Sequence, residues 1–212
     1  MTGSPVGRGR QPVEAALLNA AGDLLAEVGA RAMSVRDVAR RAGVNHGQVH
    51  HYFGSKDALV RAAMRELAAD HYRRSMEQAG LHDVPPALAL ASDVRYWRAV
   101  IRLLIEGDIE AARVEIDEGV SVPRHALGVL AARRGLPAPD LDAKTAVAVS
   151  AALQLGWVAL EDFIFLLADV APEEQDEVRA RVRLVAAGLF DGALLDQALL
   201  DGYATRRTRP VP

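Results

Sequence analysis

Residues 34–59, SVRDVARRAGVNHGQVHHYFGSKDAL, constrain this chain more than any other stretch. Two short apolar patterns with helical spacing are parted by one glycine and closed by Gly54-Ser55. Ser34 can open the first, because its hydroxyl accepts a hydrogen bond from an unpaired N–H two or three residues on. Val35, Val38 and Ala39 give that helix, residues 35–41, its apolar face. In the turn Ala42-Gly43-Val44, Gly43 supplies the positive φ that other residues resist. Asn45 then caps a second helix over 45–53, with Val49 and Phe53 turned inward. Two helices joined by so short a turn cross steeply, and the stretch reads as a helix-turn-helix.

The flanks carry the same period. From Pro12, Val13, Leu17, Ala20-Ala21, Leu24-Leu25 and Val28 recur at helical spacing until Gly29, and a long helix is expected from Lys56 or Asp57 to Gln78. After Pro85-Pro86 the pattern predicts helices over 87–91, 93–106, 109–118, 123–134, 141–168 and 173–191. No strand pattern or internal repeat interrupts them, so the fold class is all-α. Residues 1–11 read as a disordered basic arm, 12–58 as the helix-turn-helix domain, 59–204 as a helical regulatory domain, and 205–212 as a disordered tail.

Composition removes several function classes. The chain has no cysteine, which leaves neither disulfides nor thiolate metal sites. No apolar run is read as reaching the roughly 20 residues that span a bilayer, and no secretory leader follows the N-terminal arginines, so no membrane partner and a cytoplasmic location are expected. The net charge of −3 divides into +4 over residues 1–74 and −7 beyond. A basic front on an acidic body suits a module that binds a polyanion.

The second short helix would present His46, Gln48, His50 and His51 outward, with Asn45 at its start. Free N–H groups at a helix start suit phosphate, and glutamine and histidine can meet base edges in the major groove of double-stranded DNA. The run VARRAGVNHGQVHHYFGSKDAL resembles the DNA-binding region of the TetR family of transcriptional regulators at Val38, Ala39, Ala42-Gly43-Val44, Gly47, Tyr52-Phe53, Lys56 and Leu59. Two positions depart: Asn45 replaces the usual serine, and His50 stands where the family most often has tyrosine or phenylalanine. The resemblance implies that Arg36, Asn45, His46, Gln48, His50, His51, Tyr52 and Lys56 touch bases or backbone. It further implies a homodimer on a pseudo-palindromic operator, usually as a repressor, released by a small-molecule effector as the long helix after Lys56 swings.

For the region beyond residue 80, pocket candidates are Tyr72, Tyr96, Trp97, Ile101, Leu104, Gln154, Trp157 and Phe163, large or amphipathic residues suited to a hydrophobic or aromatic effector. Ala148, Ala152 and Gly156 form a small-residue ridge on one face of the helix over 141–168. Val178, Val182, Val185 and Leu189 form a stripe on the next. Paired across a two-fold axis, these would build a four-helix bundle.

Other chemistries are weaker. His46 and His50 have the spacing of two metal ligands on one helix face, but no glutamate follows in the HExxH manner and further ligands would have to come from Asp57 or elsewhere; no metal and no cofactor is called for. The nucleophile and acid–base candidates Ser121, Ser150, Asp162, His71 and His125 are scattered and sit in no catalytic motif, which argues against an enzyme. A helical small-molecule-binding protein without DNA function is the alternative, and salt-sensitive binding to duplex DNA separates the two.

Overall fold

The computed structural model describes residues 10–80, 83–85 and 93–190. Most of the arm 1–11, the segment 87–91 and the tail 205–212 lie outside the described residues. What is described is all-α: α1 (Arg10–Ala32), α2 (Val35–Ala42), α3 (Gly47–Phe53), α4 (Lys56–Ala79), α5 (Val94–Glu106), α6 (Ile109–Ala112), α7 (Val114–Asp117), α8 (Val122–Arg133), α9 (Leu141–Leu167), a 3₁₀ turn (Pro172–Glu174) and α10 (Gln175–Phe190). An N-terminal helix-turn-helix unit is followed by a helical body.

Local chemistry accounts for the front. Ser34 accepts the Asp37 N–H at 3.1 Å and opens α2. Gly43, at φ 68°, closes it. The Gly43 N–H donates to the Arg40 carbonyl at 3.3 Å and the Val44 N–H to the Ala39 carbonyl at 3.0 Å, so the last carbonyls of α2 stay paired. Ser55, read from the sequence only as part of a break, also caps: it accepts the Ala58 N–H at 3.1 Å and starts α4. Leu17, Leu25, Val38, Val49 and Leu59 are fully buried between α1, α2, α3 and α4.

This core runs without a gap into α5 and α6, through Tyr96, Ala99, Leu103 and Ala111. The boundary expected at residue 58 falls inside the first turn of α4, which is therefore common to both units. Polar links also tie α5 to α1: Arg95 pairs with Asp23 at 2.9 Å, Arg102 donates to the Ala26 carbonyl at 3.0 Å, and Glu106 accepts the Arg31 N–H at 3.0 Å.

Two expectations need correction. The single helix expected over 109–118 breaks at Arg113 (φ −77°, ψ −2°) into α6 and α7. That break buries Ala111 and Val114 and turns Glu115 toward Tyr96 and Ser121, tertiary contacts that no local pattern encodes. Further, α9 is by length and composition apolar enough to cross a membrane, contrary to the reading of the sequence alone. Alanine, valine and leucine make up most of it, and only 17% of its most apolar stretch is buried within the chain. The buried part packs against α8 through Ala143 and Val147 and against α10 through Trp157 and Phe165.

Candidate DNA-binding surface and regulatory cavity

The second helix of the front unit begins at Gly47, two residues later than expected. Asn45 still serves its start: its Oδ1 accepts the Gly47 N–H at 2.9 Å. Val49 anchors α3 in the core, and Val44, Tyr52 and Phe53 are half-buried against it. Asn45, His46, His50 and His51 are exposed and Gln48 is half-buried, so α3 presents polar side chains outward. The His50 Nδ1 lies 3.2 Å from the Gly54 carbonyl, and the His51 ring meets Tyr52 edge-on at 5.1 Å.

The cations around α3 divide into two groups. Arg40 pairs with Asp37 at 2.6 Å, and Arg41 grips both oxygens of Glu27 at 2.7 Å. The Arg41 hydrogen bond holds the Glu27 carboxyl below its ordinary value, and the Ser34 hydroxyl together with Arg40 does so for Asp37. Arg36 is exposed, and among the described residues no carboxylate neutralises it. Lys56 is half-buried, with its Nζ 3.4 Å from the Arg31 carbonyl at the foot of α4. Among the described residues, no carboxylate thus pairs with Arg36 or Lys56, whereas Arg40 and Arg41 are paired within the protein.

Behind this unit, α4 to α9 enclose a mostly apolar cavity of about 270 Å³. Among the expected pocket residues, Tyr96, Trp97, Leu104 and Gln154 line it. Ile101, Trp157 and Phe163 do not: they border a separate groove between α5 and α9. Trp157 instead packs against Phe165 and donates from its indole N–H to Glu161 at 2.8 Å. Tyr72 lines neither space, its hydroxyl lying 3.4 Å from His125 Nδ1.

The sequence reading missed the polar wall. His71, adjacent to Tyr72 but a third of a turn around the helix, is the α4 residue that reaches the cavity. Its ring stacks on Tyr96 with centroids 4.1 Å apart, and its Nδ1 lies 3.2 Å from Asp93. Burial pushes the Asp93 carboxyl up, but the His71 hydrogen bond and the Arg74 charge outweigh it and hold the group below its ordinary value. Across the cavity Glu115 accepts the Tyr96 hydroxyl on one oxygen and the Ser121 hydroxyl, at 3.0 Å, on the other. Burial and the Glu115 charge together push the Tyr96 phenol well above its ordinary value, so it stays a donor. Hydrogen-bond partners this far apart in sequence leave no spacing signal.

The third surface is apolar. On α9, Ala148 and Ala152 are exposed and Gly156 half-buried, and the exposed Val149, Leu160, Phe163 and Leu167 extend the stripe at spacings of three and four. On α10, Val185 and Leu184 are exposed. Val178 and Val182 are half-buried and pack within the chain beside Trp157 and Phe165, because α10 turns that face to α9. The side chain of Leu189 lies outside the described residues. Arg179 fixes the α9–α10 pair by gripping Glu161 at 3.0 and 3.1 Å and covering the Phe165 ring at 5.0 Å.

The family model of bacterial regulatory proteins of the tetR family matches residues 17–63. A helix-turn-helix transcriptional repressor of Mycobacterium tuberculosis is 35% identical over 185 residues, covering 86% of this chain and 92% of that protein. Two solved structures share the fold. A tetR-family transcriptional regulator from Streptomyces coelicolor has TM-score 0.58 and 18% identity, over 94% of this chain and 89% of that one. Salmonella enterica GusR has TM-score 0.56 and 21% identity, over 86% of this chain and 97% of its own. With its helix-turn-helix inside the matched segment and a relative of that similarity along nearly its whole length, the chain belongs to the tetR family of bacterial transcriptional regulators.

Proposed function

We propose that this regulator is a repressor that binds a pseudo-palindromic operator as a homodimer and is released by a small hydrophobic or aromatic effector. The observation that carries the reading is the double membership of α4. Its first half supplies Leu59, Val60 and Ala63 to the core that holds α3, and its second half puts His71 into the cavity wall. A molecule that fits the cavity better in one setting of α4 shifts the population toward that setting. A hundredfold loss of operator affinity needs about 2.7 kcal/mol of differential binding.

In this reading residues 12–58 form the DNA-binding domain and 59–204 the regulatory one, acting in the cytoplasm. Asn45, His46, Gln48, His50, His51 and Tyr52 approach bases and adjoining backbone, while Arg36 and Lys56 hold phosphates. The exposed stripe of α9, with Val185, is covered by a second copy. Two recognition helices related by a two-fold axis then read half-sites about one helical turn apart.

The test is selection of bound duplexes from a random pool at near-physiological salt, with the wild type and with Gln48→Ala. An enriched pseudo-palindrome that the variant loses or alters supports the reading. A folded protein that enriches nothing, with α9 still exposed to solvent, would sink it.

A further inference from the structure

Both hydroxyls that meet Glu115 are donors held by the cavity's own wall. The Tyr96 and Ser121 hydroxyls both donate to Glu115, and Gln154 Nε2 donates to Ser150 Oγ at 3.1 Å. Asp93 is held as a carboxylate and faces His71 Nδ1 at 3.2 Å, so that acid is engaged away from the guest. What remains for a guest is one charged group, the Glu115 carboxylate with its free lone pairs, beside neutral ones: the Gln154 carbonyl oxygen as acceptor and the Trp97 indole N–H as donor. The guanidinium that reaches the wall, that of Arg113, is exposed and turned to Asp117 at 3.2 Å and Glu110 at 3.8 Å. A carboxylic acid entering this space would meet Glu115 with no cation to offset it, the costly arrangement of two like charges away from water. A protonated amine would complete it.

The remaining walls suit a ring. Trp97 stands edge-on to both Tyr96 and His71, with centroids 5.3 and 5.2 Å away. A volume of about 270 Å³ lies just below the range typical of drug-sized ligands, so the guest is compact.

We propose that the cavity selects a compact protonated aromatic amine, its ring against Tyr96 and Trp97 and its ammonium on Glu115. This rests on the reading of the cavity as the effector site and names the chemical class of the effector. Charge-assisted hydrogen bonds in a partly desolvated site are among the stronger polar contacts. The carboxylate therefore discriminates by sign as well as by shape.

Three probes of one skeleton test it by titration calorimetry on the full chain: 2-phenylethylamine, phenylacetate and 2-phenylethanol. The amine is expected to bind at least about tenfold more tightly than the other two, a difference of about 1.4 kcal/mol. The preference should vanish in Glu115→Gln, and all binding should vanish in Ala151→Trp, which fills the cavity. Equal or tighter binding of the acid or the alcohol overturns the proposal, as does failure of all three to bind. A preference that survives Glu115→Gln overturns it too. If that variant does not fold, the wild-type ratio decides alone. Release of the selected operator is read separately. An amine that binds but leaves the operator complex intact upholds the ligand class and removes the effector reading. An acid that binds and releases the operator does the reverse.

Discussion

Gly29 and Glu106 share one point of contact: a β-carbon added to Gly29 would collide with Glu106 Oε1. Gly29 interrupts α1 at φ 81° and ψ 172°, backbone that other residues hardly enter. The same Glu106 carboxylate takes the Arg31 N–H that the interruption leaves unpaired. Gly29→Ala should therefore cost about 1–3 kcal/mol of stability, mostly from backbone strain, since the Glu106 side chain can move aside. Chemical denaturation of the variant, alone and combined with Glu106→Ala, measures both parts. A loss that disappears in the combination would assign the cost to the clash instead.

Operator binding should weaken steeply with salt, and two cations should account for part of the slope. Removing a phosphate contact lowers the slope of log affinity against log salt by about 0.9 per site. Arg36→Ala and Lys56→Ala should each show this decrement in fluorescence anisotropy titrations. Arg40→Ala and Arg41→Ala, whose charges are met by Asp37 and Glu27, should show much less. An equal decrement at all four positions would refute the division.

Phe163 is 56% exposed on α9, between Leu160 at 52% and Leu167 at 71%. Phe163→Glu places a charge in the centre of the proposed subunit contact, where an unpaired charge is expensive. Sedimentation velocity should show a monomer at concentrations where the wild type is a dimer, with helix content unchanged by circular dichroism. A variant that stays dimeric would move the contact elsewhere.

Stability should depend on pH through Asp93. Its carboxyl lies below the ordinary value of 3.8 in the folded chain, so its contribution is complete above that value and is lost as pH falls through the folded one. The wild type should exceed Asp93→Asn in stability near neutrality, and the gap should close in acid below about pH 4. Urea denaturation from about pH 3 to 6 reads the gap. A constant gap would mean that Asp93 acts through packing alone.

The front unit was legible because its determinants are local. Ser34, Gly43 and Asn45 each act on backbone within five residues, and Val38 and Val49 declare their inward faces by spacing. The cavity was only half legible for the opposite reason. Tyr96, Trp97, Leu104 and Gln154 stood out as large or amphipathic side chains. The choice of Tyr72 over His71 needed the rotation of α4 against α5, which no single helix reports. Glu115 was hidden inside an expected helix over 109–118 whose break at Arg113 answers to Tyr96 and Ser121. The stripe on α9 was read by its small residues, whereas the packing of Val178 and Val182 beside Trp157 shows only once α10 is seen against α9.

The length of α4 sets a mechanical gain. Its 24 residues span about 36 Å at 1.5 Å per residue. Tilting such a rod by about 5° around its cavity end carries the other end, and α3 with it, through about 3 Å, close to one base-pair step along a duplex. In a symmetric pair both ends travel, and the distance between reading heads changes by up to twice that amount. In the proposed dimer, a displacement too small to disturb the packing around His71 would thus be enough to put two half-sites out of register.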